Sequence, residues 1–130
     1  MNVFVYGTLR KYESNHSLLE MAELVAEHCR VRGRLYDTGH GYPAMVPDDN
    51  AWTYGEMYRI TEEQLEKLDW LEDYYGEGQD NEYNRVVMKV QTKRGFEDAY
   101  VYTYSEDQVK GLKAIESGDW RASRPPSRDE

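Results

Sequence analysis

The fold class that the sequence predicts is α+β: a small mixed, curled β-sheet or barrel with helices packed outside. Three observations carry that expectation. Several stretches alternate apolar and polar residues at the strand period, two others repeat apolar residues at the helix period, and two late strands adjoin as a hairpin. The hairpin excludes a purely parallel winding. A length of 130 residues suits one domain with a modest core. We take that domain as residues 1–120 and read 121–130, RASRPPSRDE, as a flexible C-terminal tail, because it lacks the apolar content to pack.

The elements follow in chain order. Asn2 to Tyr6 reads as a short buried strand, and Gly7 frees the backbone where it ends. SNHSLLEMAELVAEH places Leu18, Ala22 and Val25 at i, i+4 and i+7, turns Glu20, Glu23 and Glu27 elsewhere, and offers Ser14 or Asn15 as a cap. It predicts a surface helix. CRVRGRLYD then alternates Cys29, Val31, Gly33 and Leu35 against three arginines, as a strand with one buried face does. GHGYPAMVPDDN reads as a loop with a short strand around Ala44 to Val46.

WTYGEMYRI is a clearer strand, with Trp52, Tyr54, Glu56, Tyr58 and Ile60 on one face. Thr61 and Gln64 form a capping box for a second helix, EEQLEKLDWLEDYY, which the polar loop GEGQDN ends. YNRVVMKVQT and EDAYVYTYS make the hairpin around Lys93-Arg94-Gly95-Phe96, with Tyr100, Tyr102 and Tyr104 on one face. A short helix or turn fits Gln108 to Ile115.

Composition narrows the function. A formal charge of −9 repels nucleic acid and anionic lipid, so neither is an expected partner. Arg30, Arg32 and Arg34 are the one basic cluster; their spacing fits a solvated strand face or a meeting with an acidic substrate. A single cysteine, Cys29, excludes an internal disulfide and a Cys-based metal site. His16, His28 and His40 lack metal-ligand spacing, so no metal site is expected. No signal-like segment precedes the first strand and no apolar run approaches the ~20 residues of a membrane span, so we expect a cytoplasmic protein.

The second helix holds the most informative geometry. At about 100° per residue, Leu65, Leu68 and Glu72 share one narrow stripe, with Leu71 and Tyr75 flanking it and Glu62, Glu66 and Asp73 turned to solvent. An unpaired carboxylate on an apolar face has its charged form disfavoured, which prepares it for general acid/base work near neutral pH. The alternative is that Glu72, near the helix end, reaches water. Glu56 is a second inward acid, suited to catalysis or to bonding the loop backbone. Gly7 offers an oxyanion or carboxylate cradle, although one glycine without a GK[ST] is no phosphate loop. Two inward acids also admit glycoside hydrolysis, for which the chain is short.

Taken together, VYGTLR, GRLYD at Gly33 to Asp37, YGEMYRI, LDWLEDYY at Leu68 to Tyr75, EYNRV at Glu82 to Val86, AYVYTY and SGDW at Ser117 to Trp120 resemble the γ-glutamylcyclotransferase-like family. The similarity runs from Val3 to Trp120 and is nearest the branch with γ-glutamylamine cyclotransferases, plant avirulence-induced proteins and butirosin-pathway cyclotransferases. The resemblance implies a mixed barrel with outer helices, a catalytic glutamate at Glu72, and a substrate cradle from Tyr6, Gly7, Thr8 and Leu9. It adds Tyr83 and Tyr102 as pocket residues.

The implied reaction is intramolecular attack of a γ-glutamyl α-amino group on its own γ-carbonyl, giving 5-oxoproline and a free amine with no metal, nucleotide or redox cofactor. The expected partner is therefore a small γ-glutamyl molecule, with the leaving amine left open. The competing readings are a non-catalytic module binding a small metabolite in the same pocket, and an interaction protein using its tyrosine-rich strand as an edge.

Overall fold

The computed structural model describes residues 1–123. Six strands and two helices follow the chain as β1 (Asn2–Val5), β2 (Glu23–Asp37), β3 (Pro43–Arg59), α1 (Glu62–Leu71), β4 (Asn84–Thr92), β5 (Gly95–Thr103), β6 (Lys113–Ile115) and α2 (Trp120–Ser123). In the sheet, β3 pairs with β1, β1 with β5, β5 with β4 and β4 with β2, and a further β2–β3 pairing closes the ring. Five strands thus form a barrel, with β6 paired to the Leu35–Asp37 end of β2. Only β1 and β5 run parallel, meeting at Val3 and Tyr100.

β1 is apolar on both sides because both are covered. Phe4 and Tyr6 join Val31, Met45, Met57 and Val101 in one buried cluster, whereas Val3 and Val5 pack with Leu65 and Leu68 of α1 in a second. This explains its unbroken apolar run. α1 starts with the predicted capping box: Thr61 Oγ1 accepts from Gln64 N–H at 3.1 Å, and Gln64 Oε1 accepts from Thr61 N–H at 2.9 Å. Leu68 is fully buried, so the apolar stripe faces inward as its spacing implies. The hairpin also forms, paired from Asn84 with Thr103 to Thr92 with Gly95.

The first predicted helix does not form. His16–Leu19 make a short 3-10 turn, and β2 begins at Glu23. β2 pairs with β3 through register shifts between Leu24 and Ala26 and between Ala26 and Cys29. Each shift advances the alternation, so Val25 and Ala26 are both half-buried while Glu27 and His28 are both exposed. The resulting spacing imitates a helix. β3 is likewise longer than the short strand expected near Ala44: its partner sequence jumps from Trp52 to Pro47, accommodating the polar PDDN stretch as an excursion within the strand.

Tyr75 departs from expectation too, being largely exposed. α1 ends at Leu71, and Asp73 enters the left-handed region at φ 53°, which turns the chain off the helical path. The Gln108 to Ile115 stretch divides into a 3-10 turn, Asp107–Val109, and the strand β6. Of the expected C-terminal tail, Arg121–Ser123 belong to α2, and 124–130 lie outside the described residues. Among the described residues, no helix is long and apolar enough to cross a membrane.

Candidate active site

β1 delivers the chain into a turn at one side of a cavity of about 360 Å³. Arg10 N–H donates to Gly7 O at 3.0 Å, which leaves the turn's central N–H groups, those of Thr8 and Leu9, outside that bond. The turn is fixed from its far side, where Asn15 N–H donates to Thr8 O at 2.8 Å and Asn15 Nδ2 to Thr8 Oγ1 at 2.9 Å. Gly7 has a packing reason as well: a Cβ there would lie 2.7 Å from the Pro43 ring. A larger residue would separate the two segments that form the cavity wall.

Glu72 lines the same cavity, at the C-cap of α1. Its N–H donates to Leu68 O at 2.9 Å and its carbonyl accepts from Tyr83 N–H at 3.3 Å, while Asp73 O accepts from Glu82 N–H at 3.1 Å. Residues 72–73 and 82–83 are therefore clasped together. The Glu72 carboxylate itself makes no hydrogen bond among the described residues. Burial raises its pKa first, and the charges of Glu82 and Asp73 add to this, so that it stands at about 8. The negative end of the α1 dipole acts in the same direction.

Tyr6, Gly7, Thr8, Leu9, Tyr83 and Tyr102, the six residues expected to bind substrate, line this cavity along with Glu72. The three tyrosine hydroxyls are already engaged. Tyr6 donates to Tyr102 O at 2.6 Å, Tyr83 to Pro43 O at 2.8 Å, and Tyr102 to Asp69 Oδ1 at 2.6 Å. Asp69 in turn holds Arg85. Burial is the leading cause raising all three phenols above their ordinary range, so at neutral pH they remain protonated donors. They shape the wall and brace it.

Glu56 lies outside that cavity lining. It is 2% exposed, yet its Oε1 accepts from Lys11 N–H at 2.9 Å and Tyr58 OH at 3.0 Å, and its Oε2 faces Arg10 Nε at 3.3 Å and Arg121 at 3.7 Å. It anchors the Gly7–Asn15 loop. The arginine cluster is also remote: Arg30 and Arg32 stack on Trp52 at 3.8 and 3.7 Å, and Arg34 pairs with Asp48 at 3.3 Å. Among the described residues, no Lys or Arg lines the cavity, and no cluster of His, Cys, Asp and Glu gathers as a metal site.

Sequence reasoning missed Tyr42, Pro43 and Glu82 in the lining. Tyr42 OH donates to Glu82 Oε2 at 3.0 Å and Tyr104 OH to the same oxygen at 2.7 Å. Glu82 stands beside Tyr83 in the EYNRV motif, which was the available signal; Tyr42 lies in a glycine-rich loop without period.

Residues 3–122 match the family described as Gamma-glutamyl cyclotransferase, AIG2-like. The chain belongs to that family. It is an enzyme of the cyclotransferase class, with the small α+β barrel of that group. The gamma-L-glutamyl-butirosin B gamma-glutamyl cyclotransferase of Niallia circulans is 36% identical over 124 residues, covering 95% of this chain and 77% of that one. The gamma-glutamylcyclotransferase family protein YtfP of Escherichia coli K12 is 40% identical over 120 residues, covering 92% of this chain and 96% of its relative. Among solved structures, YkqA of Bacillus subtilis superposes with a TM-score of 0.74 at 33% identity, over 93% of this chain and 39% of that one. A mouse AIG2-like protein, at a TM-score of 0.71 and 23% identity, shares the fold over 99% of this chain and 97% of its own.

Proposed function

We propose that this cyclotransferase converts a γ-glutamyl amine or amino acid to 5-oxoproline and the free amine, with Glu72 carrying the proton. The observation that supports this most is a carboxylate of pKa about 8, without a hydrogen-bond partner among the described residues, in the lining of the same cavity as a turn whose Thr8 and Leu9 N–H groups make no backbone hydrogen bond among those residues. Substrate α-ammonium groups titrate near the same value, about 8, so proton transfer between the two is close to balanced.

Ionised Glu72 takes a proton from the α-ammonium, and the nitrogen lone pair attacks the γ-carbonyl carbon to form the new C–N bond of a five-membered ring. The oxygen gains charge, and Thr8 and Leu9 N–H groups are the donors available to it or to the α-carboxylate. When the original amide C–N bond breaks, Glu72 returns its proton to the leaving nitrogen. The ring nitrogen, which carries two hydrogens after the attack, loses one of them through the same carboxylate to the freed amine, which departs as its ammonium, so atoms and charge balance within one turnover. Nucleophile and electrophile belong to one molecule, so holding a near-attack conformer supplies much of the acceleration. Tyr6, Tyr83 and Tyr102 bound that conformer with fixed rings.

The test is incubation of the purified protein and Glu72→Gln with pooled γ-glutamyl amines, amino acids and ε-lysine isopeptides, followed by mass spectrometry for 5-oxoproline. Release by wild type alone is expected and identifies the leaving amine. Equal release by Glu72→Gln would remove Glu72 from the chemistry, and no release from either would favour a binding module.

A further inference from the structure

The geometry points to Glu82 as a specificity-determining residue that receives a second positive charge on the leaving amine, making γ-glutamyl conjugates of diamines or polyamines the preferred substrate class. This rests on the γ-glutamyl reading of the cavity above. Three independent features converge on it.

The first is how Glu82 is held. Its N–H donates to Asp73 O at 3.1 Å and its carbonyl accepts from Gln108 Nε2 at 2.6 Å, so the backbone is pinned from both sides. Oε2 takes both tyrosine hydroxyls, which orients the carboxylate and leaves Oε1 without a protein partner among the described residues. A carboxylate fixed in this way within a cavity wall is preorganised for a donor that the protein does not supply.

The second is the aromatic setting. Tyr42 and Tyr83 line the cavity with ring centroids 6.4 Å apart, and the Tyr104 ring packs tilted against Tyr83 at 4.5 Å. Aromatic faces beside a carboxylate favour an ammonium over a second carboxylate. The third is the absence, among the described residues, of any Lys or Arg from the lining, which leaves His40 as the one basic side chain that a leaving-group carboxylate would meet there. The loop from Tyr74 to Asn81 that joins Glu72 to Glu82 adds Glu77 and Asp80 and no cation.

The probes are γ-glutamyl-1,4-diaminobutane, acylated on one nitrogen, and γ-glutamyl-pentylamine, in which a methyl group replaces the distal ammonium. Wild type is expected to favour the diamine conjugate about ten- to a hundred-fold in kcat/KM, the range of one charged hydrogen bond. Glu82→Gln collapses that ratio towards one, and Glu82→Asp retains part of it. A wild-type ratio near one, or a ratio undiminished in Glu82→Gln, overturns the assignment.

Calorimetric titration of both conjugates into Glu72→Gln, with and without Glu82→Gln, reads the same preference as a Kd ratio without turnover. A diamine preference that disappears with Glu82 supports the assignment even if wild type releases no 5-oxoproline, an outcome that would overturn the cyclisation reading alone. Equal Kd values with Glu82 present overturn the assignment. Melting curves for Glu82→Gln and Glu82→Asp confirm that each variant is folded when its ratio is read.

Discussion

Glu56 and Glu72 are both acids turned inward, and the surroundings of each set the anchoring acid apart from the proposed proton carrier. Glu56 receives Lys11 N–H, Tyr58 OH and the Arg10 guanidinium, and Arg121 lies 3.7 Å away. Each lone pair that burial strips of water is returned to a donor, which is the condition for holding a charge in a core. Glu72 has burial, the nearby charges of Glu82 and Asp73 and the negative end of a helix, and no donor among the described residues. A carboxylate so placed holds a proton at pH 7 and releases it readily near pH 8. Glu56 is the more deeply buried of the two and Glu72 is half-buried, so depth does not set the order; the inventory of donors around each acid does.

The largest effect tests the chemical member of the pair. Glu72→Gln is expected to lower the rate of 5-oxoproline release by about 10²–10⁴-fold, the scale of general acid/base catalysis, with the fold intact by circular dichroism. The anchoring member is expected to fail differently. Glu56→Ala removes one of the two carboxylates that hold Arg10, leaving Asp119 Oδ1 at 2.9 Å, and frees Lys11 N–H. Urea denaturation should show a loss of about 1–3 kcal/mol, the scale of buried donors left unsatisfied. If Glu72→Gln unfolds the protein while Glu56→Ala only slows it, the comparison is reversed.

A pH series sharpens the contrast further. The folded-state pKa of Glu72, about 8, lies above the ordinary carboxylate value of 4.5, so the folded protein binds the extra proton between those limits. The stability this contributes is fully present below about pH 4.5 and is lost as pH rises through about 8. Melting temperatures of wild type and Glu72→Gln, compared from pH 5 to pH 9, should show the variant gaining on wild type as pH increases. The smallest effect concerns the helix that carries Glu72. Thr61→Ala removes the side-chain cap from Gln64 N–H and should cost about 1 kcal/mol by thermal melting.

Much of this site was legible because its signals are local. A capping box fixes where α1 starts, and the helix period from Leu65 and Leu68 then fixes the side on which Glu72 emerges. The hairpin was equally local, with nine-residue strands joined at Lys93 and Arg94. The expected helix over Leu18 to Val25 failed because Leu18 falls in a 3-10 turn and Val25 in β2, whose register against β3 shifts twice between Leu24 and Cys29, a long-range pairing that no local spacing records. Tyr42 and Glu82 escaped notice for a related reason. They meet across forty residues of chain, so neither segment carries a mark of the other.

The most direct test of the account is a titration of the Glu72 side chain itself, following its carboxyl carbon by NMR in wild type and in Glu82→Gln. The account predicts a midpoint near pH 8 in wild type, moving downward when the Glu82 charge is removed. A midpoint near the ordinary 4.5, unaffected by Glu82, would mean that water reaches the carboxylate and that Glu72 is not the poised proton carrier described above.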